Sequence, residues 1–216
     1  MCATGSHPIG PSATPIAERT AVAAEPSHDE YSPTAGRSRR RLGSSLVMDI
    51  ATEFLAQSRR YLASEYPTKI RLCLDVLPAD AIWRRDDDAS NSIGNLLLHL
   101  SGNIRQWIIS GVGGAPDARR RHVEFDAREG DAGAALMERL FATVREADEV
   151  LASLDATRLA ERRTIQGREV SVLDAVYHVV EHFSMHTGQI ILLAKRFAPG
   201  RVQFYEDAGG LARPRF

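Results

Sequence analysis

Three histidines at a regular four-residue spacing constrain this chain more than any other feature. His178, His182 and His186 are three of its seven histidines and lie in one uninterrupted segment. Four residues turn an α-helix by about 400°, so these side chains are expected on nearly one face. Two imidazoles one turn apart can bind one divalent ion. The segment favours a metal site over packed histidines, because core packing has no reason to repeat imidazole at this spacing.

The spacing leaves two alternative pairs of ligands. His178 and His186 would lie about 12 Å apart along a helix, whereas ligand nitrogens lie about 2 Å from a metal ion. The pair is therefore either His178 with His182 or His182 with His186. His182 belongs to both pairs and is the safest ligand to name.

The composition is that of a globular protein with no evident nucleic-acid or membrane partner. The 216 residues have room for one ordinary domain with extensions, 44% of them are hydrophobic, and the net charge is −1. No stretch reaches the roughly 18 apolar residues of a membrane helix, and no secretory signal is evident. Cys2 and Cys73 suggest no disulfide framework, and Cys73 is expected to be buried. A reducing cytoplasm fits best.

The first 45 residues are expected to form a disordered tail. They are rich in Gly, Pro, Ser, Thr, Ala and charged residues and have almost no periodic apolar residues. Such a segment cannot bury enough apolar surface to offset its ordering entropy. The run from Arg37 to Arg41 could bind nucleic acid, although a solvated tail is the commoner explanation. Translation could also begin at Met48, where the helical pattern starts.

Apolar periodicity predicts an all-α protein, a four-helix bundle. Pro67 should kink or divide the first helix, because proline lacks the backbone donor. Asn91 or Ser92 is a suitable N-cap for the second helix, and Ser171 is one for the fourth. Two short strands around Gly167 predict a small β-hairpin just before the last helix. The predicted helical segments are 48–77, 91–108, 131–154 and 171–197.

The second predicted helix contains a polar stripe in otherwise apolar sequence. Asn95, His99 and Asn103 share one face, and a buried polar stripe is costly unless its members find partners. A metal ion with hydrogen-bonded outer partners would satisfy them, and a polar core network without metal is the alternative. Gly94 and Gly102 are expected to permit close helix contacts, because glycine itself disfavours the helix.

Residues 111–130 are predicted to form a long loop, and loops of this length are often functional. Its three consecutive arginines, Arg119 to Arg121, could hold a carboxylate or phosphate through forked hydrogen bonds. Solvation at the surface is the commoner explanation for such a cluster.

Metal sites in helix bundles are commonly built from facing helices. His99 on the second helix, with His182 and His186 on the fourth, would supply three nitrogen ligands. Three protein ligands and an open fourth position are typical of catalytic zinc, whereas structural zinc sites are closed.

Several motifs, in order along the chain, resemble the DinB-like (YfiT-like) superfamily. They are Asn91–Asn103, Arg105–Trp107, Glu124–Phe125 and His182–Gln189, within a similarity that covers about residues 48–198. The resemblance implies a four-helix bundle with a divalent-metal triad, here His99, His182 and His186, and leaves His178 outside it. Thr187 departs from the better-known branch, which has arginine at this position. The implied organisation is a tail over 1–45, a bundle over 48–198 and a C-terminal extension over 199–216.

The superfamily includes S-transferases that use mycothiol, bacillithiol or glutathione, and many members of unknown activity. The resemblance implies a divalent-metal-dependent enzyme, a thiol S-transferase or a small-molecule hydrolase. Zinc or nickel is the expected ion, with iron or manganese as alternatives, because all four accept imidazole. The expected partners are a small-molecule substrate, including a low-molecular-weight thiol, and a second copy in a homodimer. The alternative is a non-catalytic, damage-inducible metal-binding bundle.

Overall fold

The structure is a computed structural model that describes residues 42–216, with side chains from Ile50 onward. The predicted tail up to residue 41 and its basic run, Arg37–Arg41, lie outside the described residues. The first helix begins at Leu42, so helical structure starts before Met48 and includes the last residues of the predicted tail.

Four long helical segments form the predicted four-helix bundle. The first is α1 joined to α2 by one π-helical turn, the second is α3 continued by a π-helical segment, and α5 and α6 are the third and fourth. Two 3-10 turns, Ala79–Ile82 and Ala156–Ala160, lie in the connections. The α-helices are α1 Leu42–Arg60, α2 Tyr66–Leu74, α3 Ile93–Ile104, α4 Arg121–Asp126, α5 Gly133–Ser153 and α6 Val172–Phe197.

Pro67 marks the joint in the first segment, as predicted. The π-helical turn Tyr61–Glu65 separates α1 from α2, and Pro67 lies in the first turn of α2. Proline has no N–H to donate to the preceding turn, so the regular hydrogen-bond ladder cannot pass through this position. The second segment also changes geometry, and its π-helical part extends from Arg105 to Val112.

Ser92, one of the two predicted N-caps of the second segment, caps α3, and Ser171 caps α6 as predicted. Ser92 accepts a hydrogen bond from the N–H of Asn95, and Asn95 accepts one from the N–H of Ser92. Ser171 and Asp174 form the same reciprocal pair at the start of α6. Each box satisfies two backbone groups, so it fixes where its helix begins. These two helices carry all three histidines of the predicted triad.

Two β-hairpins accompany the helices. Strands β1 Arg162–Ile165 and β2 Arg168–Ser171 pair antiparallel immediately before α6, as predicted. Their turn needs positive φ at Gln166 and Gly167, a conformation that glycine adopts freely. The second hairpin, β3 Tyr205–Asp207 and β4 Ala212–Pro214, was not predicted. Its six residues are all exposed and show no inside–outside alternation, so periodicity gives no signal there.

Helix α3 packs against α5 and α6 and is the most enclosed part of the bundle. Ten of its twelve residues are buried, which leaves water few routes to its polar side chains. Cys73 is fully buried, as predicted. Within the described residues, no helix is both long and apolar enough to cross a membrane.

The prediction of one continuous loop over 111–130 is wrong in two places. Gly111 and Val112 still belong to the π-helical extension of α3, and Arg121–Asp126 forms the short helix α4. Asn95 fixes α4 by donating from Nδ2 to the carbonyl oxygens of Glu124, at 2.8 Å, and Ala127, at 2.9 Å. Asn95 therefore satisfies its amide within the protein rather than through a metal site.

Candidate metal site

The structure brings the three predicted histidines together. His99 Nε2 lies 3.0 Å from His182 Nε2, and His186 Nε2 lies 3.1 Å from the same atom. All three candidate ligand atoms lie within 4.8 Å of one another. His99 and His186 are buried and His182 is partly exposed. The group could hold one metal ion.

The separations of these nitrogens suit a first-row divalent ion. Two imidazole nitrogens that each lie about 2.1 Å from an ion are separated by about 3.0 Å at an octahedral angle and about 3.4 Å at a tetrahedral angle. The distances of 3.0 and 3.1 Å lie at the lower end of this range. Three histidine nitrogens would hold such an ion and leave coordination positions for other ligands.

In His99 and His186, hydrogen bonds at the ring nitrogen that points away from the cluster fix which nitrogen faces the site. His99 Nδ1 lies 2.8 Å from Glu124 Oε2, and His186 Nδ1 lies 2.6 Å from Gln189 Oε1. Both partners are oxygen acceptors, so each Nδ1 carries the proton and each Nε2 keeps its lone pair. Arg119 Nη2 also lies 3.1 Å from His99 Nδ1. Arg119 could donate to His99 Nδ1 only if that nitrogen were unprotonated. In that state the lone pair of Nδ1 would face the carboxylate oxygen of Glu124 with no hydrogen between them, so the protonated form is favoured.

The donor chemistry therefore fits a cation. His99 and His186 direct lone pairs at His182 Nε2, which carries at most one proton and can satisfy only one of them as a donor. A metal ion accepts electron density from all three nitrogens together. His182 Nδ1 is buried and has no hydrogen-bond partner among the described residues, so only two of the three histidines have a protein group holding the outer nitrogen.

The surroundings of His182 and His186 favour the neutral imidazole, which is the form that binds metals. Burial, followed by the neighbouring His186 and His99, lowers the pKa of His182 to about 3. Burial also lowers the pKa of His186, although its bond to Gln189 acts in the opposite direction. A neutral imidazole presents a lone pair, whereas an imidazolium has none to donate.

A buried ion pair supports His99 from behind. Arg119 Nε and Nη2 donate to the two carboxylate oxygens of Glu124, at 2.7 and 2.8 Å. The side chains of Arg119 and Glu124 are only 4% and 11% exposed. Desolvation raises the pKa of Glu124, but the hydrogen bonds from Arg119 and His99 outweigh it, and the net pKa is lowered. Glu124 is therefore a carboxylate that accepts from His99.

Surface solvation is the wrong explanation for Arg119, although Arg120 and Arg121 are exposed. The other predicted role was forked hydrogen bonding to a carboxylate. Arg119 forms these hydrogen bonds, and the carboxylate is that of Glu124 in the same chain. Gln106 extends the network, because it accepts from Arg119 at 3.0 Å and donates to Asp117 at 2.7 Å.

Gly102 makes room for this network. A Cβ atom at this position would lie 2.0 Å from Glu124 Oε1 and 2.9 Å from Arg119 Nε. Any larger residue would therefore displace the carboxylate that orients His99. The other predicted close contact is at Gly94, where a Cβ atom would lie 2.7 Å from the Trp83 indole.

His178 lies beside the triad rather than within it. Its ring packs on Trp107 with centroids 4.2 Å apart, and its Nε2 lies 3.3 Å from Asn103 Nδ2. The His178 and His182 rings are 5.3 Å apart. Of the two pairs that spacing allowed, the structure groups His182 and His186 with His99.

The supporting roles of Arg119, Glu124 and Gln189 were not predicted from spacing. Glu124 and Gln189 lie within the recognised motifs, but nothing in the sequence pairs Glu124 with His99, 25 residues earlier. The three-residue step from His186 to Gln189 on a helix was the one local signal available.

Comparisons with known proteins agree with this architecture. The family described as "Protein of unknown function (DUF1572)" matches residues 49–205. A DinB-like protein from Bacillus cereus ATCC 10987, known from a crystal structure, is 17% identical. The match covers 68% of this chain and 94% of that chain, with a TM-score of 0.54. At this identity the likeness concerns the fold alone. No curated protein matches the chain.

The family match spans the bundle helices from α2 to α6 and all three clustered histidines. The structural match agrees with the DinB-like bundle that the motifs implied. The chain belongs to the DUF1572 family of proteins of unknown function and has a DinB-like fold.

Proposed function

We propose that this protein is a divalent-metal-dependent enzyme whose ion is held by His99, His182 and His186. Zinc or nickel is the preferred ion, and the reaction is transfer of a low-molecular-weight thiol to an electrophile or hydrolysis of a small substrate. The single observation that carries the proposal is the convergence of three Nε2 atoms, two of them with lone pairs fixed by outer hydrogen bonds.

The protein side chains have separate tasks in this proposal. His99, His182 and His186 bind the ion, Glu124 and Gln189 hold two of the rings in the ligating tautomer, and Arg119 keeps Glu124 ionised. When bound, the ion supplies Lewis acidity, which lowers the pKa of a thiol or water in an open coordination position. The partial exposure of His182 supports access from solvent to that side of the cluster.

The thiol reaction is supported by the chemistry that the resemblance implies and by the ligand set. Three neutral imidazoles leave a divalent ion with its full positive charge, which favours binding of an anionic thiolate or hydroxide. Thr187, which replaces the arginine of the better-known branch, is buried and uncharged. Threonine cannot form the ionic contacts of an arginine, so we expect an electrophile whose recognition does not require that arginine.

Metal binding is tested by equilibrium dialysis of metal-free protein against zinc and nickel, followed by elemental analysis. The proposal predicts about one ion per chain and its loss in His186→Ala. His122→Ala is the matched control, because His122 is exposed on α4 and lies outside the cluster. Equal metal content in His186→Ala and the unmodified protein would contradict the site.

Catalysis is tested separately with protein in which cobalt replaces the native ion. Added glutathione, bacillithiol or mycothiol is expected to change the cobalt absorption bands, and the zinc or nickel form is expected to consume an epoxide or a chlorodinitrobenzene. His186→Ala should remove both responses. One ion per chain with unchanged bands for every thiol and no turnover would exclude thiol transfer and leave hydrolysis or a non-catalytic metal-binding bundle.

A further inference from the structure

A cavity lies on the Glu124 side of His99, away from the clustered Nε2 atoms. Its volume is about 510 Å³, within the range of small-molecule pockets. It lies between α3, α5 and the segment that leads into α4, and Gly102 and Glu124 both line it. None of the three clustered histidines lines it, so it is separate from the candidate metal site.

Four arginines from three parts of the chain line this cavity. Arg105 follows α3, Arg119 and Arg120 precede α4, and Arg139 lies on α5. A run of like charges in one segment is usually a solvated face, but convergence from three segments requires the fold to bring the charges together. Among the described residues that line it, Glu124 is the only acidic one.

The positive charge of the cavity is incompletely neutralised. Arg119 is already bound to Glu124, and Arg105 forms an ion pair with Glu146. The side chains of Arg120 and Arg139 are exposed and have no hydrogen-bond or ion-pair partner among the described residues. Two guanidinium groups therefore remain for a ligand, and their planar forks match the oxygens of a carboxylate or phosphate.

The remaining wall is apolar. Leu98, Val123 and Pro116 line the same cavity. A fully hydrated inorganic anion would gain nothing from these residues, whereas an anion with a hydrocarbon or aromatic body would bury apolar surface against them.

We propose that this cavity binds a small organic anion, with its oxyanion group on Arg120 and Arg139 and its apolar body against Leu98 and Val123. This function goes beyond the proposed metal chemistry. Glu124 and Gly102 line this cavity, whereas His99, His182 and His186 do not.

The test is calorimetric titration of the full chain, freed of metal with a chelator, using phenyl phosphate as the probe. Phenyl phosphate is expected to bind at least about tenfold more tightly than inorganic phosphate or phenol, because each of these lacks half of the recognised chemistry. Arg120→Gln combined with Arg139→Gln should weaken binding by at least about tenfold. Arg145→Gln, an exposed arginine on α5 outside the cavity, should leave it unchanged.

Three outcomes would overturn the proposal. One is equal binding by the double variant, with an unchanged melting temperature, and the second is binding no tighter than that of inorganic phosphate. The third is binding that appears only with added metal and disappears in His182→Ala, since phenyl phosphate would then be a ligand of the metal. If the protein bound no metal but still bound phenyl phosphate, the proposed metal-dependent function would be contradicted and the anion site would stand.

Discussion

Glu124 Oε2 lies 2.8 Å from Nδ1 of His99, while Nε2 of the same ring lies 3.0 Å from His182. One imidazole thus connects a buried carboxylate to the clustered histidines. Outer carboxylates of this kind fix the tautomer of a ligating histidine and raise its basicity. The bond is the main route by which α4, outside the bundle, acts on the candidate metal site.

Replacing Glu124 with glutamine should weaken metal binding by about 10- to 100-fold, the usual effect of losing an outer partner. The amide is nearly isosteric, but it removes the charge that pairs with Arg119 and leaves a buried guanidinium without its counterion. Competition between the protein and a chromophoric chelator would measure the zinc affinity.

Glu146→Gln is the control for this change, because Glu146 also pairs with an arginine but is 44% exposed. The metal affinity of the Glu146→Gln variant should match that of the unmodified protein. Equal affinities for Glu124→Gln and Glu146→Gln would show that the Glu124–His99 bond does not support the ligand.

Gly102→Ala should lower both metal affinity and stability without altering any ligand. The new Cβ would lie 2.0 Å from Glu124 Oε1, so the carboxylate must move away from His99. Overpacking of this kind costs about 1–3 kcal/mol. Urea unfolding and the same chelator competition would report the two effects.

Gly188→Ala provides the matched helix control. Apart from its chain neighbours and the backbone of its own helical turns, no atom of the described residues lies within 4 Å of a Cβ at Gly188, an exposed position in α6. Alanine is favoured over glycine in a helix interior by about 0.5–1 kcal/mol, so this variant should be more stable. A stable Gly102→Ala variant with full metal affinity would contradict the close packing of this network.

His178→Ala should retain the metal, whereas His186→Ala should lose it. The two residues lie on either side of His182 on α6, but only His186 directs Nε2 at it, from 3.1 Å. Loss of the His178 ring leaves a gap beside Trp107, so stability should still fall. Metal content after dialysis would distinguish the two variants. Loss of the metal in His178→Ala with retention in His186→Ala would mean that His178 and His182 form the ligating pair.

The features that could be predicted from sequence are those encoded locally. The starts of α3 and α6 could be predicted near Ser92 and at Ser171, because each capping box is complete within four residues. The four-residue repeat predicted that His182 pairs with His178 or with His186, and the family resemblance selected His186. His99 was conspicuous as an imidazole in apolar sequence. The role of Glu124 could not be found in this way, because it depends on where α4 docks. That docking depends on the amide of Asn95 and on the space at Gly102.

Acid should destabilise the metal-free protein through His182. Burial and the neighbouring imidazoles lower its pKa from 6.5 to about 3 in the folded chain. The unfolded chain therefore binds a proton that the folded chain does not bind between these values. Stability should be unaffected by this group above about pH 6.5 and should fall as pH decreases below it, by at most about 1.4 kcal/mol per pH unit for one proton.

Unfolding free energies at several pH values would check this dependence. His182→Gln should flatten the slope between pH 6.5 and 4.5, whereas His122→Gln should not, because His122 lies on the exposed surface. The extra stability given by bound metal should also fade from about pH 7 to about pH 5, since protons compete for the ligand nitrogens. If the gain in unfolding free energy on adding metal stayed constant from about pH 7 to about pH 5, histidine ligands would be ruled out.

Cys73 should be unreactive in the folded protein. Burial raises the pKa of its thiol to about 12, although the nearby Lys195 acts in the opposite direction. The thiolate is the reactive form, so iodoacetamide at pH 8 should modify Cys73 only after unfolding in urea. Peptide mapping by mass spectrometry would locate the label, and rapid labelling of native Cys73 would show that this part of the core opens readily.

We propose that three imidazoles bind one metal ion and leave room for another ligand. X-ray absorption at the zinc edge of the loaded protein tests it most directly. The expected spectrum has about three imidazole nitrogens at about 2.0–2.1 Å, with an oxygen ligand that a sulfur at about 2.3 Å replaces when a thiol is added. A first shell without imidazole scattering, or one unchanged in His182→Ala, would contradict the account.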